Sequence, residues 1–360
     1  MLKKILIVLV ILILLAVVAF AFAVKNMKPD KDQVLTFLKE HPETTAIKLV
    51  RNGDQLVGHN LTKVMPLAST VKIVIAIEYA EQAAEGTLDP DENIPLAELE
   101  QYYAANTDGG AHPSWLKHIK DKVSDDAISI REIAKGMILF SSNANTEWLC
   151  DKLGLDKINA RLASMDVANH TEIYNIVSAL YVGKELFPGI TGADLETKLK
   201  ALSTEDYIAA TARIHDKLKT EPDYRNEVGE LGMNIQRVWS DRLPAATVED
   251  YVHIMTLINS RTFFSPETQT YLDEVMEFLL ENPQNREWLE HTGMKGGSTA
   301  FVLTKALYAT DKKGNKTELA YFMDDLNFFQ NMKLQASMNA FELAILSDKE
   351  YLTTVAEALK

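Results

Sequence analysis

The sequence predicts an α+β domain, with an antiparallel β-sheet built from both chain ends, flanked by helices, and a mainly helical lobe inserted between them. Two observations predict it. The β-prone runs lie near the ends of the chain, at Ala46–Val50, Gln55–His59, Ser298–Ala309 and Glu318–Asp324. The stretch from about Leu88 to Leu289 carries helical periodicity, broken at prolines and polar loops. A third feature precedes the domain. Ile5–Val24 is an unbroken apolar run between Lys4 and Lys25, and at about 1.5 Å rise per residue it spans roughly 30 Å. An N-terminal transmembrane helix is therefore expected.

Each element follows in order. Residues 1–24 are expected to be a membrane anchor or signal segment, and residues 25–360 a single body. Lys3 and Lys4 ahead of the apolar run place the N-terminus in the cytoplasm and the body outside the cell membrane. Ala19, Ala21 and Ala23 also offer small-residue cleavage positions, which would release a secreted body. Lys31–Glu40 reads as a helix with Val34, Phe37 and Leu38 on one face, and Asn52-Gly53 as a hairpin turn. Residues 25–68 and 290–360 would form the sheet-bearing lobe, and 69–289 the helical lobe. The latter opens with a deeply buried helix over Ser69–Ala84, and a further helical pattern covers Ile130–Phe140. A polar turn over Asp311–Lys316 separates the two late strands, and a final helix covers much of Met332–Leu359.

Composition excludes several classes. With 360 residues, 47% hydrophobic and 24% charged, the chain is neither disordered nor collagen-like. Its 37 Lys and Arg against 51 Asp and Glu give a net charge of -14, so no nucleic-acid partner is expected. The single Cys150 excludes an internal disulfide and a cysteine-based metal site. His112, His118, His170 and His291 show no H-E-x-x-H spacing, and no cofactor or metal is expected.

Chemistry gathers at three places. Ser69 and Lys72 are three residues apart at the start of an apolar helix, so they share a face. A desolvated lysine favours its neutral form and can act as the base that a serine nucleophile needs. Unpaired N–H groups in the first helical turn would stabilise an oxyanion. Ser141-Ser142-Asn143 follows at a turn between helical patterns, where a hydroxyl and an amide could relay a proton and hold a substrate amide. Lys295-Gly296-Gly297-Ser298 then leads a late strand, where the glycines suggest close backbone approach and the lysine offers charge to an anion. Each pattern alone is cheap: Ser114 to Lys117 and Ser337 to Asn339 repeat two of them.

Their joint order resembles the penicillin-interacting serine hydrolases, most closely the class A β-lactamase branch, whose motifs are S-x-x-K, S-D-N and K-T-G. The likeness includes Pro66-Leu67-Ala68-Ser69-Thr70-Val71-Lys72, Ile128–Ile133 ahead of Ser141, and Leu319–Met323. The resemblance implies Ser69 as acylated nucleophile, Lys72 as base or relay, and Ser141 as proton donor to the leaving group. It further implies Asn143 on the substrate amide, Lys295 on a carboxylate, and the N–H groups of Ser69 and Ser298 as oxyanion hole beside Gly297. Tyr103, or equally Tyr102, would line the entrance.

Three departures follow. Ser142 replaces the motif's Asp, and Gly296 replaces the Thr of K-T-G. The E-x-x-L-N loop that carries the deacylating carboxylate is not evident. Glu172, the sole glutamate in Asp166–Gly183, is the candidate there, with His170 beside it. The expectation is thus an exported, membrane-anchored acyl-enzyme hydrolase with weak or no β-lactam turnover, acting on a small-molecule or peptidoglycan-derived acyl substrate. The alternatives are a D,D-peptidase-like or esterase activity, and a non-catalytic penicillin-binding or sensing module.

Overall fold

The computed structural model describes residues 28–360, which form two compact units. The first comprises the described residues up to Glu43 together with Leu326–Lys360. It contains helices Lys31–Glu40, Phe328–Ser347 and Lys349–Ala358. Asp30 N–H donates to Ser337 Oγ at 3.3 Å and Tyr351 Oη to Lys31 O at 2.6 Å, which joins its two chain segments. The expected single C-terminal helix is divided at Asp348, whose carboxylate accepts the N–H groups of Glu350 and Tyr351 and so caps a new helix.

The second unit, Thr44–Asp325, carries the sheet and the helical region. Nine strands are described: β1 (Thr45–Arg51), β2 (Asp54–His59), β3 (Met65–Pro66), β4 (Asn93–Pro95), β5 (Ala127–Ser129), β6 (Ala245–Ala246), β7 (Leu289–Ser298), β8 (Leu303–Asp311) and β9 (Lys316–Met323). The main sheet has the order β2-β1-β9-β8-β7, antiparallel throughout. Both chain ends therefore build one sheet, as the strand runs predict. The β1–β2 turn holds Asn52 at φ 53° and Gly53 at φ 87°, the pair of left-handed residues that lets a two-residue turn follow strand twist.

The late strands differ from expectation. The run expected as one strand over Ser298–Ala309 contains a tight turn at 299–302, and β7 before it is a full strand of its own. Its sequence, LEHTGMKGGS, offers little apolar alternation, so the period-2 signal is hidden there. β8 and β9 are buried along nearly their whole length, and helix Val248–Ser260 packs on them.

Helix Lys72–Ala84 is the centre of the helical region. Ile73, Val74, Ile75, Ala76 and Ile77 are all buried, leaving it no solvent face. Helices Ile130–Leu139, Asn143–Leu153, Leu155–Ser164 and Pro266–Met276 surround it. The chain then makes an excursion through helices Gly192–Ala201, Thr204–Thr220 and Met233–Arg242, and returns at β6, which pairs with β3. Leu67 N–H donates to Pro244 O. The excursion thus ends against the residues that lead into Ser69.

The transmembrane element requires correction. No helix among the described residues is long and apolar enough to cross a membrane, and residues 5–24 lie outside the described residues. The longest described helix, Phe328–Ser347, carries Gln330, Asn331, Lys333, Gln335 and Glu342, too many polar groups for hydrocarbon.

Candidate active site

Ser69 sits in a short 3-10 turn, Ala68–Val71, and Lys72 begins the α-helix behind it. Ala68, the residue before the serine, adopts φ 45°. A left-handed alanine costs about 1–3 kcal/mol and persists only where its surroundings hold it. They do so here. Thr304 Oγ1 on β8 donates to Leu67 O at 2.7 Å and lies 2.8 Å from Thr70 Oγ1, which clamps the turn from both sides of Ser69.

Gly297 brings β7 against that turn. A Cβ at this position would lie 2.4 Å from Leu67 O and 2.6 Å from Ser69 N, so only glycine permits the approach. Thr299 N–H donates to Val302 O and closes the β7–β8 hairpin. Antiparallel alternation then leaves Ser298 in a non-hydrogen-bonded pair with Leu303. Its N–H therefore points away from β8, and β7 packs against the Ser69 turn.

Lys72 is fully buried. Its Nζ donates to Ser141 O at 2.7 Å, Asn143 Oδ1 at 2.8 Å and Ser141 Oγ at 3.2 Å. These three acceptors match the three protons of an ammonium. The direct bond to Ser69 expected from the helical spacing is not among them, because the amine turns toward the Ser141–Asn143 turn. Burial, and then the charge of Lys295, hold Lys72 well below the usual lysine range. On losing a proton it keeps two donors for Ser141 O and Asn143 Oδ1 and gains a lone pair.

Lys295 approaches from the strand side. Its Nζ donates to Ser141 Oγ at 3.0 Å and to Gly296 O at 2.9 Å. Burial, with Lys305 nearby, lowers its pKa to about 7. Ser141 itself adopts φ 67°, a second strained residue, with its carbonyl held by Lys72. Three elements distant in sequence therefore converge: the Ser69 turn, the Ser141–Asn143 turn and β7.

The sequence model of the β-lactamase enzyme family matches residues 31–294. The chain belongs to this family. Among solved structures, a class A β-lactamase from Bacteroides cellulosilyticus is 14% identical, with 92% of this chain and 97% of that chain covered and a TM-score of 0.51. A β-lactamase from Sphaerobacter thermophilus is 17% identical over 88% of this chain and 95% of its own, with a TM-score of 0.53. One from Chitinophaga pinensis is 12% identical over 87% and 99%, with a TM-score of 0.52. At such identities the likeness shows the fold, that of a β-lactamase-like serine hydrolase. No curated protein matches.

Other residues of this family member fall as follows. Tyr102 is buried and stacks on His215, whereas Tyr103 is half-buried against the ring of His112. Ser142 is the N-cap of helix Asn143–Leu153, its Oγ accepting the Asn145 N–H at 3.2 Å, so it does the turn-supporting work its position calls for. That helix begins at Asn143.

Lys305 is a charged group at the site that the sequence analysis missed. It opposes Gly296 across the hairpin, and a Cβ on Gly296 would lie 3.6 Å from Lys305 Nζ. The room left by the missing threonine side chain is thus bordered by an ammonium. The hairpin register carries this signal once the turn is placed at 299–302.

Glu172 is exposed and lines a cavity of about 420 Å³ with Tyr174, Tyr207 and Arg242. Ser69, Lys72, Ser141 and Lys295 are not among its lining residues. His170 ties its loop down, with Nδ1 2.6 Å from Thr171 O and Nε2 3.3 Å from Tyr251 Oη, and burial lowers its pKa. The carboxylate that organises the neighbouring segment is Glu147, one helical turn beyond Asn143 and fully buried. It accepts the N–H groups of Val177 and Ser178 at 3.1 and 3.2 Å and the Ser178 hydroxyl at 2.5 Å.

Behind Glu147 lies His215, with Nδ1 3.3 Å from Glu147 Oε1 and Nε2 3.1 Å from Asp151 Oδ1. Burial opposes its charge, but hydrogen bonds to Asp151 and Glu147 outweigh that and raise its pKa from 6.5 to about 9. The folded state thus binds this proton more tightly than the unfolded chain. Its contribution to stability should be complete below pH 6.5 and lost as pH rises through about 9. Denaturant titrations across that range should show the midpoint falling in the wild type, and falling less in a His215→Gln variant.

Among the described residues, Asp273, Glu277 and His291 could together hold a metal ion. Arg261 already lies in this cluster, donating to Asp273 Oδ1 at 2.5 Å and lying 3.6 Å from Glu277 Oε1. Burial, with Asp273 beside it, raises the Glu277 pKa to about 8.

Proposed function

We propose that the chain is a serine hydrolase that forms an acyl-enzyme on Ser69 and releases β-lactam acyl groups slowly. The observation that carries this reading is the convergence of Lys72 and Lys295 on Ser141 Oγ beside the Ser69 turn. In the reading, neutral Lys72 draws the Ser69 proton, and Ser141 passes a proton to the leaving group. Asn143 holds the substrate amide, and the N–H groups of Ser69 and Ser298 stabilise the oxyanion. Lys295, with Lys305 behind Gly296, attracts an anionic group. Slow release follows from the carboxylates around the Asp166–Ser178 segment. Glu147 is committed to Val177 and Ser178, and Glu172 lines a separate cavity.

The test is incubation with a labelled penicillin. A covalent label should appear on Ser69, persist, and be lost in Ser69→Ala. Rapid multiple turnover of a chromogenic cephalosporin would remove the slow-release half. A Ser69→Ala variant that still hydrolyses activated esters would remove the mechanism. The reading also places the body outside the cytoplasm, where cell-wall peptides and β-lactams are met; recovery of the protein in the cytosolic fraction would count against that.

A pH dependence follows from Lys295. Below about pH 7 its ammonium is charged, and above that it is increasingly neutral. KM for an anionic ester should therefore rise as pH increases past 7, whereas KM for its uncharged analogue should not. Parallel pH profiles for the two esters would exclude Lys295 as the anion contact.

A further inference from the structure

The cavity beside Glu172 takes no part in the reading above. Its volume, about 420 Å³, falls within the roughly 300–1,000 Å³ typical of small-molecule sites. Two tyrosines form its apolar wall. Tyr174 and Tyr207 are buried and meet edge to face, with ring centroids 6.1 Å apart. The Tyr174 hydroxyl donates to Arg242 O at 2.5 Å, which holds that ring in place. Ile208, half-buried, extends the wall.

Four charged side chains line this cavity: Glu172, Lys200, Asp241 and Arg242. Two of them are already paired, Lys200 with Glu196 at 2.6 Å and Asp241 with Arg237 at 2.8 Å. The other two, of opposite sign, have no ion-pair partner among the described residues. The Arg242 guanidinium carbon lies 4.8 Å from the Tyr207 ring centroid, a contact that favours the cation and fixes its place. Its Nη2 donates to Leu199 O, Lys200 O and Leu202 O at 3.0, 3.3 and 2.6 Å, so this edge satisfies the carbonyl end of helix Gly192–Ala201. Nε and Nη1 have no acceptor among the described residues. A guanidinium offers five N–H donors in one plane, and those left over can take a carboxylate. The Glu172 carboxylate is exposed and accepts no hydrogen bond among the described residues.

We infer that this cavity binds an amino acid or short peptide in zwitterionic form, with its carboxylate on Arg242, its ammonium on Glu172 and an apolar side chain against Tyr174 and Tyr207. A ligand carrying a single charge would meet only one of the two unpaired groups, whereas a zwitterion complements both. An apolar side chain gains by leaving water for the tyrosine wall. The site goes beyond the proposed function and does not rest on it, since Ser69, Lys72, Ser141 and Lys295 lie outside its lining.

Calorimetric titration with leucine and with alanyl-leucine tests the site. Binding of either sustains it, and the tighter of the two sets the length of the ligand. N-acetylation or C-terminal amidation of that probe, each of which removes one charge, should weaken binding about tenfold or more. Glu172→Gln should abolish the preference for the free amine and keep that for the free carboxylate; Arg242→Gln should do the reverse. Arg242 also satisfies helix carbonyls, so Ile208→Trp provides a second variant that fills the cavity and leaves that edge intact. It should abolish binding while thermal unfolding stays near that of the wild type. Failure of both probes to bind at millimolar concentration overturns the inference, as do equal affinities for the free and blocked forms, or undiminished binding by Ile208→Trp. Penicillin labelling of Ser69 in a protein that binds neither probe would remove this site and leave the hydrolase reading. Charge-dependent binding in a protein that never labels would sustain the site and remove the hydrolase reading instead.

Discussion

Replacing Lys72 with methionine is expected to lower the rate of Ser69 acylation by about a thousandfold or more, the scale of losing a positioned general base. Methionine matches the lysine stem in length but offers no lone pair. The variant should still fold. Burying a polar amine is costly, and an apolar side chain of similar volume removes that cost, which offsets the donors lost to Ser141 O and Asn143 Oδ1. Lys295 continues to donate to Ser141 Oγ. The measurement is the rate of covalent labelling by penicillin or a chromogenic ester, with thermal unfolding as the check on folding. A well-folded Lys72→Met protein that acylates at the wild-type rate would show that some other group draws the Ser69 proton.

Gly297→Ala is expected to act through the backbone alone. The added methyl would lie 2.4 Å from Leu67 O, 2.6 Å from Ser69 N and 2.6 Å from Thr304 Oγ1. Two of these are main-chain atoms and cannot swing aside, so β7 must move away from the Ser69 turn. The N–H groups of Ser69 and Ser298 then separate, and removing oxyanion donation costs about a hundredfold to a thousandfold in rate. The overpacking should destabilise the protein by about 1–3 kcal/mol. Gly296→Ala makes the control, because its nearest neighbour would be Thr304 O at 3.4 Å, an approach that needs only a small adjustment. Equal rates in the two variants would contradict this account of the oxyanion hole.

The two predictions differ in how legible their residues are. Lys72 is readable because its signal is local: three residues from a serine, within an apolar run that guarantees burial of the helix. Gly297 is only half readable. A glycine pair in a strand signals close approach, yet nothing in the sequence says that the approaching group is the main chain of residues 67 and 69. The strand itself was misplaced, since glycines and polar residues erase the alternation by which strands are recognised. That error hid Lys305, which faces Gly296 only when the turn falls at 299–302. Glu147 escaped notice for a related reason. It lies inside a helix, where a glutamate normally faces solvent, and its burial depends on main-chain donors thirty residues further along.

By itself the sequence determined the α+β architecture, the sheet closed from both chain ends, and the ordered set of polar side chains at Ser69, Lys72, Ser141, Asn143 and Lys295. These follow from periodicity and short spacing, which act along the chain. The tertiary structure alone decided that Lys72 turns to Ser141 and Asn143 rather than to Ser69, that burial beside Lys305 lowers the pKa of Lys295, and that Glu147 is held by the main chain at Val177 and Ser178. Hydrogen-bond partners and proton affinities are set by the solvent a fold excludes and by charges brought close through space. Sequence spacing encodes neither of these.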